Sequence, residues 1–138
     1  MPAEFTSTRR VQFAETDMAG IAHFANFFRW MEEAEHAMFR AAGLSVQMQL
    51  DGMEISWPRV SVGCEFVRPV RFEDELSLGL RVVRLGDKSI NLEVEFTKGG
   101  ERVALGKSTS VCCEVGNGMM RSIAIPPAIR DKLTGVAT

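Results

Sequence analysis

The residues best suited to chemistry sit close together near the start of the chain, in ETDMAGIAHFANFFRWMEEAE, residues 15–35. Asp17 lies on a short loop closed by Gly20, and His23 follows just beyond that glycine. A carboxylate ionised at neutral pH serves as a general base or as a nucleophile. The first turn of a helix presents backbone N–H groups with no intrahelical acceptor, and such groups stabilise an oxyanion. The order acid, turn, helix N-terminus therefore sets side by side the two things that hydrolysis of an acyl group requires. Gly20 lets the loop reverse tightly.

Those residues need elements to hold them. Phe27, Met31, Ala34, Met38 and Ala41 recur at helical spacing, with Phe24, Phe28, Trp30, Ala37, Phe39 and Ala42 widening the apolar stripe. This predicts a long, enclosed helix over about residues 24–42, with Asn26 as N-cap, Gly43 as the left-handed stop, and Arg29, Glu32, Glu33, His36 and Arg40 as a polar ridge. The second half reads as strands. Val60, Val62, Cys64 and Phe66 share one face, and Leu76, Leu78, Leu80 and Val82 alternate with smaller or polar residues. Gly86-Asp87 marks a turn before the next strand, and Gly99-Gly100 and Asn117-Gly118 are hairpin signals. Val103–Val115 reads as one strand between the last two. The expectation is an α+β domain spanning residues 1–138, in which a β-meander over about 58–125 forms a curved antiparallel sheet of about five strands around one central helix. Gly79 and Gly106 are the natural bend or bulge positions. Residues 44–57 read as a crossover through Asp51-Gly52, residues 128–133 as a single helical turn, and the final TGVAT as frayed.

Composition narrows the function classes. The chain has 138 residues, 46% apolar and 25% charged, with a formal net charge of −2, which supplies one core and no electrostatic case for nucleic acid. No apolar run approaches a membrane span, and MPAEFTSTRR lacks the apolar region of a signal peptide, so the expected location is the cytoplasm. Cys64, Cys112 and Cys113 lack metal or disulfide spacing and read as small packing residues, although a thiol nucleophile paired with His23 is an open alternative. His23 and His36 have no third ligand spaced to help them hold a metal, and no cofactor is expected.

The stretch from residue 11 to 35, with Asp17, Ala19-Gly20-Ile21, Asn26 and Arg29-Trp30, resembles the hot-dog fold thioesterases of the 4-hydroxybenzoyl-CoA thioesterase type. Phe66, Pro69, Val70 and Arg71 extend a looser resemblance toward Val115. The resemblance implies an acyl-CoA thioesterase in which Asp17 attacks the thioester carbonyl or activates water, and the Phe24 amide polarises the carbonyl oxygen. Gly20 and Asn26 would help form the site. His23 has no direct counterpart in the aryl-CoA type and is open to acid–base work or water positioning. Glu33 is the reserve base, because a second thioesterase lineage uses a glutamate on this helix. Arg68, Arg84, Lys88 and Ser89 are candidates for coenzyme A, whose phosphates attract cations. Phe72-Glu73-Asp74-Glu75 replaces a Gly-Asp turn common among the relatives. The family's edge-to-edge pairing implies a homodimer or homotetramer. Two other readings compete: a non-catalytic acyl-binding module, and a hot-dog dehydratase using His23.

Overall fold

A computed structural model describes residues 5–137, which form nine strands and two α-helices. β1 (Phe5–Arg10) leads into a single 3-10 turn, Phe13–Glu15, and then the Asp17 loop and α1 (Ala25–Ala41). The hairpin of β2 (Gln47–Leu50) and β3 (Met53–Ser56) follows, and then β4 (Arg59–Phe66), β5 (Glu75–Leu85), β6 (Ser89–Lys98) and β7 (Glu101–Val111). β8 (Cys113–Gly116), β9 (Met119–Ser122) and α2 (Pro127–Ala137) complete the chain. All strand pairs are antiparallel.

The strands make two sheets, ordered β1-β5-β6-β7-β4 and β2-β3-β8-β9. The larger one corrects the expected meander. β4 does not pair with β5, its successor in sequence; it joins β7 and becomes an edge. The predicted strand 103–115 is broken at Cys112, so β7 and β8 serve different sheets. β1, where no element was expected, and the β2–β3 hairpin, expected as a crossover, are strands. The positive φ of Asp51 and Gly52 makes the turn of that hairpin. α2 is a full helix through Ala137, so residues 134–137 are helical; Thr138 lies outside the described residues.

α1 packs one face on the larger sheet, burying Phe27, Trp30, Met31, Ala34, Glu35, Met38 and Phe39. It is not enclosed all round: Phe24 and Ala41 are exposed. Gly106 sits beneath the helix, where a Cβ would meet the Met31 sulfur at 2.5 Å. That glycine therefore admits the helix, while the register shifts fall elsewhere, at Arg59/Ser61, Val82/Arg84 and Phe96/Thr97. α1 stops as expected. Gly43 has φ +77°, its N–H reaches Arg40 O at 3.0 Å, and Leu44 N–H reaches Phe39 O at 2.8 Å, a Schellman closure.

Candidate active site

The start of α1 differs from the expected one. Asn26 is not the N-cap; the helix begins at Ala25, after Phe24. His23 supplies the capping acceptors: its Nδ1 accepts from Ala25 N–H at 3.2 Å and its carbonyl from Asn26 N–H at 3.0 Å. Phe27 N–H donates to Phe24 O at 3.1 Å. Of the four amides entering the helix, only that of Phe24 meets no acceptor among the described residues.

The Asp17 loop is a small clamp. His23 N–H donates to Glu15 O at 2.8 Å, Thr16 bridges Ala22, and Asp17 N–H donates to Ile21 O at 2.9 Å. Gly20, at φ +78°, closes the turn with its N–H on Asp17 O at 3.0 Å. Asp17 itself is exposed; its Oδ1 accepts from Ala19 N–H at 2.8 Å. Ala22 N–H reaches Val70 O at 2.6 Å and fastens the loop to the segment after β4.

Between that segment and the helix entry lies a cavity of about 340 Å³. Asp17, Phe24, Phe27, Phe66, Arg68 and Pro69 are on its wall, with Ile21, Ala22, Val67 and Val70 completing it. The aromatic wall is braced from behind, because Phe27 meets Phe66 and Phe96 edge-on at 5.0 and 5.2 Å. An apolar cavity with a few convergent polar groups is the usual form of a small-molecule site.

The structure sorts the other candidates. Arg68 reaches the cavity while paired with Glu101 at 3.1 Å. Asn26 belongs to the scaffold: its Nδ2 donates to Glu15 O at 2.8 Å. His23 stacks on Phe24, with ring centroids 4.7 Å apart, and its Nδ1 is committed to capping, which leaves the acid–base reading without a free ring nitrogen on that side. Glu33 is exposed and paired with Arg9 at 3.3 Å. Arg84, Lys88 and Ser89 do not come to the cavity within one chain. Their hairpin is level with Arg59 and Ser110, whereas Phe66 is level with Ala104 and Phe96. Six residues of strand, about 20 Å, separate the two levels. Cys112 and Cys113 are buried, and burial pushes the Cys64 and Cys112 thiols up to about 11, which is unfavourable for a thiolate nucleophile. No group of three or more potential metal ligands occurs among the described residues.

Glu15, two residues before Asp17, is not a solvated loop residue. It is largely buried and hydrogen-bonded on both carboxylate oxygens. Gln12 N–H donates to Oε1 at 2.7 Å, Trp30 Nε1–H donates to Oε2 at 3.0 Å, and Arg9 forms an ion pair with Oε2. Burial alone would raise this carboxyl. The bonds from Gln12, Trp30 and Arg9, with the Arg9 charge, outweigh it and hold the group below its ordinary value. The three-residue spacing of Gln12 and Glu15, a capping-box spacing, was the available signal.

The sequence matches the thioesterase-like superfamily over residues 11–133, and the chain belongs to that family, whose members include hot-dog-fold thioester hydrolases. Among curated relatives, a 1,4-dihydroxy-2-naphthoyl-CoA hydrolase of Synechococcus sp. (strain WH7803) is 33% identical over 129 residues, 88% of this chain and 83% of its own. A solved gentisyl-coenzyme A thioesterase is 28% identical with a TM-score of 0.79, covering 92% of this chain and 98% of its own. An Aquifex aeolicus structure is 30% identical with a TM-score of 0.80, covering 94% and 98%. No helix among the described residues is long and apolar enough to cross a membrane.

Proposed function

We propose that the protein hydrolyses an acyl-CoA thioester to the free acid and coenzyme A, with Asp17 as the reacting carboxylate and the Phe24 amide as the oxyanion donor. The carrying observation is that Asp17 lines the same apolar cavity as Phe24, the residue whose amide is the one at the helix entry with no acceptor among the described residues. Two routes use these groups. In one, an Asp17 oxygen attacks the thioester carbonyl, the C–S bond breaks, the thiolate leaves and takes a proton from solvent, and water hydrolyses the resulting anhydride. In the other, Asp17 takes a proton from a water that attacks the carbonyl, and the proton passes to the leaving sulfur. In both, negative charge develops on the carbonyl oxygen, where the Phe24 N–H has more to gain than in the ground state.

An aromatic acyl group suits the Phe24, Phe27 and Phe66 wall, since ring pairs add about 0.5–1.5 kcal/mol beyond area burial. The names of the naphthoyl-CoA and gentisyl-CoA relatives agree with that choice. With no tyrosine in the chain, a phenolic hydroxyl would be met by Ser, Thr, His or a backbone group. The decisive experiment is a free-thiol assay with benzoyl- and hexanoyl-CoA on wild type and Asp17→Asn. The variant should stay folded and lose turnover on the order of 10²-fold or more. Full turnover in the folded variant would sink the assignment. Release of no coenzyme A from any thioester by the wild type would favour a binding module or a dehydratase.

The working unit in this reading is at least a homodimer. β4 is an edge strand, and Val62 and Phe66, on its helix-facing side, are 46% and 47% exposed, too much for residues beside the core. Antiparallel pairing of β4 with a second copy covers that row. It also moves the Arg84–Ser89 hairpin of the other protomer to the cavity end of this one, where coenzyme A phosphates would meet its cations. Light scattering at micromolar concentration should give twice the chain mass or a higher multiple; an active monomer would contradict this.

A further inference from the structure

We propose that Glu15 is a positioning residue for the hydrolysis, holding Asp17 and the Phe24 amide in one fixed relation without touching substrate. The inference rests on the reading of Asp17 and Phe24 given above and adds a residue to it. Glu15 does not line the cavity. It stands two residues before Asp17 and is fastened to three elements through its side chain: β1 through Arg9, the 3-10 turn through Gln12 N–H, and α1 through the Trp30 indole. Its backbone carbonyl accepts from His23 N–H and Asn26 Nδ2–H, both at 2.8 Å, on either side of Phe24. One residue thus grips the strand entering the loop and the helix leaving it. A carboxylate fits this post because all three side-chain partners are donors. An amide would present an N–H to at least one of them.

The mechanism of action follows from leverage. Asp17 is exposed, and among the described residues its side chain makes one hydrogen bond, a local one from Ala19 N–H. Its place relative to the helix amide is therefore inherited from the clamp at the base of the loop, whose first rung is Glu15 O with His23 N–H. A displacement of about 1 Å between reacting groups costs up to about 10²-fold in rate. The acyl pocket, by contrast, is walled by Phe24, Phe27, Phe66, Val67 and Pro69, none of which is a hydrogen-bond or ion-pair partner of the Glu15 side chain. Loss of the Glu15 carboxylate should damage the chemical step and spare binding.

The test is Glu15→Gln, Asp17→Asn and the double variant, assayed with benzoyl-CoA by thiol release, with circular dichroism to establish folding. In Glu15→Gln, kcat should fall about tenfold or more, KM should stay within about twofold, and tryptophan emission should shift as the charged acceptor of the Trp30 indole becomes a neutral amide. In the Asp17→Asn background the same change should have a smaller effect on the residual rate, because its target is already gone. An unchanged kcat in folded Glu15→Gln, with Asp17→Asn inactive, would overturn the positioning role alone; so would a loss that multiplies in full in the double variant. Full turnover in Asp17→Asn would overturn both this role and the functional reading. Should Glu15→Gln not fold, Arg9→Gln removes one of the three donors from a partly exposed position. It should show the same lowered kcat with KM held, and an intact kcat there would overturn the proposal.

Discussion

Two carboxylate–arginine pairs lie where α1 meets the larger sheet, and they are built on opposite plans. Near the start of the helix, Glu15 meets Arg9; farther along, Glu35 meets Arg59 at 2.8 Å. The arginine side chains are equally sheltered, 23% and 24% exposed, so burial of the cation does not distinguish them. The carboxylates do. Glu15 adds an indole and a backbone amide to its guanidinium, and its ionised form is favoured despite burial. Among the described residues the Glu35 side chain has Arg59 as its one hydrogen-bond partner, and its carboxyl is raised by burial, with Arg59 offsetting that only in part. Both arginines bury an Nε without a hydrogen-bond partner, so the cations do not differ there either, but beside Arg59 the Oγ of its register partner Ser110 is buried and unpartnered as well. The lesson is that pairing a buried charge is not enough; its remaining lone pairs must be met as well.

The largest effect should come from truncating the well-served group. Glu15→Ala leaves Arg9 with its exposed partner Glu33 alone and the Trp30 indole without its acceptor, and should cost about 3 kcal/mol at pH 7, read from urea midpoints. A cost within about 0.5 kcal/mol, the range of an ordinary surface site, would erase the contrast. The two pairs should also respond to pH with opposite signs. The folded-state value of Glu15 lies below the ordinary 4.5, so its stabilisation is present above 4.5 and lost as pH falls through the folded value. That of Glu35 lies above 4.5, so its contribution is full below 4.5 and lost as pH rises through the folded value. The stability gap between wild type and Glu15→Gln should therefore close in acid. Relative to wild type, Glu35→Gln should gain as pH rises above 4.5.

A smaller effect is expected from replacing the poorly served pair outright. Glu35→Leu with Arg59→Met should be neutral or stabilising by about 1 kcal/mol, because both charges leave together and the orphaned Nε leaves with them. A loss of several kcal/mol would show that the second pair is as well integrated as the first. The smallest effect belongs to Glu33→Gln. Its exposed pair with Arg9 should be worth less than about 1 kcal/mol, and thioester turnover should stay within about twofold of wild type.

Local signals in the sequence were read correctly where a residue acts on its neighbours. Gly43 stops α1 because only a residue tolerant of positive φ closes that Schellman turn, and Gly99-Gly100 and Asn117-Gly118 join the strands they were expected to join. The face of α1 came from spacing alone. Pairings between distant segments did not. Nothing in RVSVGCEF states that β4 seeks β7 across the whole β5–β6 hairpin, and FTSTRR has too few apolar residues to announce β1. Of the proposed site residues, Asp17 and Gly20 stand together in one loop and are visible as a local pattern, while Phe24 came from the family resemblance. The partners of Glu15, Arg9 and Trp30, arrive from other elements and leave no local pattern, and Asn26, expected as the N-cap, instead gives its Nδ2–H to the Glu15 carbonyl.

Gly106 carries a consequence for how such a chain changes over generations. A methyl group there would enter the space held by Met31 Sδ and Cε, and Met31 is 4% exposed with little room to retreat. The two positions are therefore coupled. A side chain on the strand requires the end of Met31 to turn aside within a packed core, or a shorter residue in its place at the expense of a void under the helix. Lineages that keep a long residue on the helix inherit the glycine as a condition, and the register of helix on sheet, with the helix entry it sets beside the cavity, is inherited along with it.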